Sequence, residues 1–160
     1  MLFRSNPDDV DYTIPAFNLT PGANNHVHAT LVLPNQKTVI GGEFTAYNGI
    51  PRNRIARLHQ NGLMDDGFDP GTGANGSVES IVAYPDDFPV ANLRGAIVIV
   101  GAFSAYNGTA AHGIARVLAN GKLDTTFKPG DGANGVVRSA RSEEHTSELQ
   151  SPCNLVCRLL

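Results

Sequence analysis

Cysteine is almost missing from this chain: two in 160 residues, Cys153 and Cys157, both in the last twenty. The preceding 140 residues can form no disulfide and do no thiol chemistry, so neither staples the fold. No apolar run reaches the 18 or more residues of a membrane helix. The first residues, MLFRSNPDDVDY, lack the apolar core of a secretory leader. No window before residue 140 repeats apolar residues at helical spacing, and 17 Gly and 10 Pro interrupt the chain throughout. Charge of one sign is missing too: 12 basic against 15 acidic residues leaves −3 and no basic patch, which excludes a nucleic-acid partner.

What is present is repetition. VIGGEFTAYNG at 39–49 returns as VIVGAFSAYNG at 98–108, an offset of 59. Ile55-Ala56-Arg57 matches Ile114-Ala115-Arg116, and Asp65 matches Asp124. FDPGTGANG at 68–76 matches FKPGDGANG at 127–135, all at the same offset. A fainter copy, FNLTPGANN at 17–25, precedes FDPGTGANG by 51 residues. The difference, 59 − 51 = 8, locates an eight-residue insertion between Pro85 and Ile97, where a surface loop tolerates it.

Each unit reads as short strands. VHATLVL and VESIVAY are β-branched runs, each ending in a Pro turn. TVIGGEF and AIVIVGAF are apolar on both sides and so are expected to be buried. Third strands run over 54–59 and 113–118. They lead into Asn61-Gly62 and Asn120-Gly121, expected as type I′ turns, and then into short fourth strands at 64–68 and 123–127. Three to four strands at a period near 50 fit a β-propeller blade. The expected fold is all-β, a partial propeller of about two blades plus fragments of those adjoining. The expected division is 1–26, end of a preceding blade; 27–77, a blade; 78–136, a blade with inserted loop 86–96; and 137–140, the start of a next blade. Open, apolar blade faces should result.

The ordered pattern GG-x-F-T-x-Y-N-G, R-I-A-R-L, N-G-x-x-D, F-x-P-G-x-G-A-N-G resembles the delta-60 repeat, a bacterial β-propeller repeat of undefined function, over about residues 10–140. It departs where Gly41 becomes Val100, at the inserted loop, and at VDYTIPAF. The resemblance implies a secreted or cell-surface location and no activity. The last segment, RSEEHTSELQSPCNLVCRLL at 141–160, resembles a translated sequencing adapter: a constant run to Ser151, a variable Pro-Cys-Asn, then Leu-Val-Cys-Arg-Leu-Leu. On that resemblance it lies outside the domain.

The residues that recur read as structural. Arg57 with Asp65, and Arg116 with Asp124, are expected as Arg–carboxylate pairs inside each blade, the fork meeting the carboxylate bidentately. An Arg ring around an anion-binding channel is the competing reading. Gly42 and Gly101, Phe44 and Phe103, and Tyr47 and Tyr106 are expected to pack the blades, with hydrogen-bonded tyrosine hydroxyls. His26 and His28 share one strand face, half of a metal site, but no ligand recurs at Glu79 or Arg138, so solvated rings are expected. The same holds for His112. Asp65, Asp66 and Asp69 near Gly71 and Gly73 lack the spacing of a calcium loop. GTGANG and GDGANG precede strands rather than helices and are expected to supply positive-φ turns, not a phosphate cradle, and Asn48-Gly49 and Asn107-Gly108 read the same way.

The expectation is a scaffold or recognition module with no catalytic, cofactor or metal residue. Its partners would be an unidentified protein or glycan and the remaining blades of the parent chain. Rim loops and the insertion around Phe88 to Leu93 are where a ligand would sit. The alternative is a propeller hydrolase or lyase with its active site in other blades.

Overall fold

The computed structural model of the chain describes residues 22–143 and 154–159, so most of the expected unit at 1–26 lies outside the described residues. In the first repeat β1 (Val27–Val32) pairs antiparallel with β2 (Thr38–Gly42). A two-residue hairpin follows, β3 (Ala46–Tyr47) with β4 (Ile50–Pro51). Then β5 (Ile55–Leu58) returns to β2, giving the sheet order β1-β2-β5. The second repeat copies this with β6 (Val78–Ala83), β7 (Ile97–Gly101), β8 (Ala105–Tyr106), β9 (Thr109–Ala110) and β10 (Ile114–Val117). The register is copied as well: Val27 faces Gly42 and Val78 faces Gly101, each with an irregularity just after it. There the backbone of β1 or β6 comes so close that a Cβ on Gly42 or Gly101 would run into the carbonyl oxygen of His26 or Ser77. Glycine persists at both sites for that reason.

The sheets stack face to face. Val39 and Ile55 of the first pack with Val78, Ile97, Ile99, Phe103 and Tyr106 of the second in one core. On the far side of β7, Val98 and Val100 pack with Val137 and Ala140. Both faces of β7 are therefore covered, and its sequence is an unbroken Ile-Val-Ile-Val run rather than an alternation. Among the described residues β1 lacks such a cover: Val27 and Val32 are 40% and 70% exposed, whereas Val78 at the position of Val27 is fully buried. The sheets form an open partial propeller of two three-stranded blades, with a third begun.

Three expectations need correction. The fourth strands at 64–68 and 123–127 reduce to single bridges, Leu58 with Met64 and Val117 with Leu123, because Asp65 and Asp124 turn the chain away at once. The type I′ turn sits elsewhere: Asn48-Gly49 and Asn107-Gly108 have both residues at positive φ. At 59–62 and 118–121 only the glycine does. The amides of Gly62 and Gly121 return to the carbonyls of His59 and Leu118, so a three-residue loop ends on a left-handed glycine. Finally, β11 (Val137–Glu143) runs past 140 and pairs with β12 (Asn154–Leu159), within the adapter-like segment.

Candidate functional site

The turn at 59–62 brings the chain back so that the Asp65 amide donates to the Arg57 carbonyl at 2.8 Å. Their side chains meet on the same side: Arg57 Nε donates to Asp65 Oδ2 at 2.6 Å. The other oxygen, Oδ1, accepts the Gly67 amide at 3.0 Å and closes a small loop. That loop sets the Phe68 ring under the guanidinium, 5.0 Å from its carbon. In the second repeat Arg116 Nε and Nη2 both reach Asp124 Oδ2, at 2.8 and 2.7 Å, Thr126 bonds Oδ1, and Phe127 lies 4.9 Å below. The pairs thus share one carboxylate oxygen instead of the expected two-oxygen fork, since the second oxygen shapes the turn.

Lys37 Nζ adds a second cation at Asp65, 2.8 Å from Oδ2. Burial on its own would raise the Asp65 carboxyl. The Lys37 and Arg57 hydrogen bonds and the Gly67 amide outweigh it and hold the pKa at about 2. Asp124 is lowered in the same way, burial opposed by Thr126 and Arg116.

The two tyrosines pin these turns. Tyr47 Oη donates to the Gly62 carbonyl at 2.9 Å and Tyr106 Oη to the Gly121 carbonyl at 2.7 Å. Burial pushes both phenols up, Tyr106 furthest, helped by the charge of Asp69. Phe44 and Phe103 are buried beside them.

Two contacts were not read from the sequence. Asn24 Oδ1 accepts the amides of Thr45 and Ala46, and its Nδ2 donates to Thr45 Oγ1. Asn75 does the same to Ser104 and Ala105. The signal was available: Gly-Ala-Asn occurs three times, and the hydroxyl survives the Thr45-to-Ser104 exchange. The second missed contact joins repeats. Arg57 Nη1 donates to the Ala119 carbonyl at 2.6 Å, the Asp69 amide to the Asn120 carbonyl at 2.8 Å, and the Thr72 amide to Asn107 Oδ1 at 3.0 Å. The groove between Arg57, Phe68 and Gly71 is thereby occupied by two turns of the second repeat. The matching groove of the second repeat, lined by Thr109, His112, Arg116, Asp124, Phe127 and Gly130, is a cavity of about 220 Å³.

The other candidates do not converge. His26 and His28 stack at 6.2 Å and approach Glu43 at 3.7 and 3.5 Å, with His26 well exposed. Asp69 Oδ1 accepts the Gly71 amide, while Asp66 points to solvent. His112 is exposed, with its backbone held by Ala133 and Ser104. Among the described residues no three His, Cys, Asp or Glu are grouped to hold a metal, and no helix is long and apolar enough to cross a membrane. Gly71, Gly73, Gly130 and Gly132 all take positive φ. The insertion is not a set of free side chains: Phe88, Leu93 and Ala96 are buried with Tyr84 and Leu118, and Arg94 Nε donates to the Phe88 carbonyl at 2.9 Å. Phe88 and Leu93, expected near a ligand, face inward because the loop must bury its own apolar residues.

Blade-like sheets stacked in register, each with the same internal Arg–Asp pair, define the class: these are β-propeller repeats. Residues 33–68 and 95–127 match the family model described as "Domain of unknown function (DUF5122) beta-propeller", one segment in each repeat. No curated protein and no solved structure matches the chain.

Proposed function

We propose that the chain is a non-catalytic scaffold or recognition module, part of a delta-60-type propeller in a bacterial secreted or cell-surface protein. What supports this is the use of its recurring polar groups. Arg57, Asp65 and Tyr47, their counterparts Arg116, Asp124 and Tyr106, and both Asn24 and Asn75 bond to main chain or to one another. The repeated chemistry is thus consumed by holding strands and repeats together. Recognition then falls to groups that do not recur, such as the exposed Asp86, Asp87 and Val90 of the inserted loop, by surface complementarity to a protein or glycan.

Titration of immobilised chain with cell-surface polysaccharides, alongside fluorogenic hydrolase and lyase substrates, tests the reading. Saturable binding without product, weakened by Asp86→Ala with Asp87→Ala, is the expected result. Turnover that Asp124→Asn abolishes while the fold persists would establish the enzyme alternative instead.

A further inference from the structure

The pairing of β11 with β12 has the same register as the two blades. Val137 faces Leu159, and an irregularity follows before Ser139, as after Val27 and Val78. β12 therefore holds the position of a repeat's second strand. Yet Leu159 stands where Gly42 and Gly101 stand, the register position at which a Cβ meets the first strand's carbonyl in both blades.

The surroundings of β11 match those of β6, with the partner contacts left open. Gly71 lies against Asn107, and Gly76 against Ala102 and Phe103, too close for a Cβ; at their counterparts, Gly130 and Gly135, a Cβ would meet nothing within 4 Å among the described residues. Asn134, the counterpart of Asn24 and Asn75, is exposed and has no hydrogen-bond partner among the described residues. Arg116 Nη1 donates to Tyr84 Oη at 3.3 Å, where Arg57 Nη1 has the carbonyl of Ala119 at 2.6 Å. Beside it lies the 220 Å³ cavity, the counterpart of the groove filled by Asn107 and by the turn at 119–120.

The geometry points to an acceptor surface, formed by β11, the loop at 129–135 and the cavity, for a polypeptide with the sequence of this chain's own 97–127, supplied by a second molecule whose second repeat has opened away from its first. Its first strand adds to β11 in place of β12, with glycine opposite Val137. Its Ser-Ala step takes the Asn134 oxygen, its Asn-Gly turn reaches Gly130 and Asp131, and the carbonyl of its next turn receives Arg116. The recognition is strand addition with main-chain hydrogen bonds. The internal repeat supplies the template for every contact, independently of the reading under Proposed function.

The probe is a fluorescein-labelled synthetic peptide of residues 96–128, titrated into the full chain and followed by anisotropy. Saturable one-to-one binding is expected, with faster amide exchange in β12 as it is displaced. Asn134→Ala in the chain should weaken binding at least about tenfold without altering circular dichroism. Gly101→Ala or Asn107→Ala in the peptide should weaken it as much and leaves the chain untouched. No binding at about 100 μM peptide, or binding indifferent to all three changes, overturns the proposal.

Discussion

Replacing Gly41 by valine puts three carbons into an interface that has no room for them. A Cβ there would lie 2.6 Å from Val78 Cγ1 and 3.0 Å from Ile81 Cδ1. The second interface carries valine at the same position, Val100, packed in a cluster with Val137 and Ala140. Val137 matches Val78, and Ala140 matches Ile81, at the common offset of 59. The two interfaces have solved one volume in two ways. Gly41 with Ile81 and Val100 with Ala140 each hold four side-chain carbons. Gly41→Val alone should cost about 2 kcal/mol by overpacking. Ile81→Ala, at a partly buried site, should cost a further 1–2 kcal/mol or so. Together they rebuild the second interface inside the first, so the double variant should lose only about 1 kcal/mol, a coupling of roughly 2 kcal/mol. Urea unfolding followed by circular dichroism measures the cycle, tyrosine being a weaker reporter in a chain without tryptophan. Single costs that add to within about 0.5 kcal/mol would refute the matched-volume account.

Four further outcomes are expected. Asp65 has a pKa of about 2 in the fold against an ordinary 3.8. A lowered folded pKa stabilises above the unfolded value, so a contribution of about 2 kcal/mol should be complete above pH 4 and lost as pH falls toward 2. Stability measured against pH should show that loss in the parent chain and not in Asp65→Asn, which is less stable at pH 7. Tyr106→Phe leaves the Gly121 carbonyl without its 2.7 Å donor and should cost about 1–2 kcal/mol in the same unfolding assay. Gly108→Ala forces alanine to φ 77 and should cost about 1 kcal/mol. Gly42→Ala meets backbone rather than a dihedral penalty and should cost more, read as the lower urea midpoint of the two.

The strands were legible where burial covers both faces, as in the Ile-Val-Ile-Val run of β7, and where β-branched runs end at proline. The pairing of Arg57 with Asp65 was legible because both recur at one offset, an offset that also carries the phenylalanine beneath the guanidinium. The turn types were not. Asn48-Gly49 and Asn61-Gly62 are the same dipeptide, yet the first closes a two-residue loop and the second ends a three-residue one. That difference lies in how far the flanking strands pair, which the dipeptide does not encode. The burial of the inserted loop was misjudged, because Phe88 becomes a core residue only when Tyr84 and Leu118 are beside it.

By itself, then, the amino-acid sequence determined the period, the three sheet strands of each repeat, the propeller class and the polar pair each blade closes around. These follow from local preference and from recurrence, which a linear string records. Tertiary structure alone decided that Arg57 also grips the carbonyl of Ala119, that Asn75 clamps Ser104 and Ala105, and that Gly41 answers Ile81. Each of these joins main-chain groups or volumes separated by 29 to 62 residues or by an interface. Carbonyls look alike in every residue, and space is shared only after the sheets have stacked.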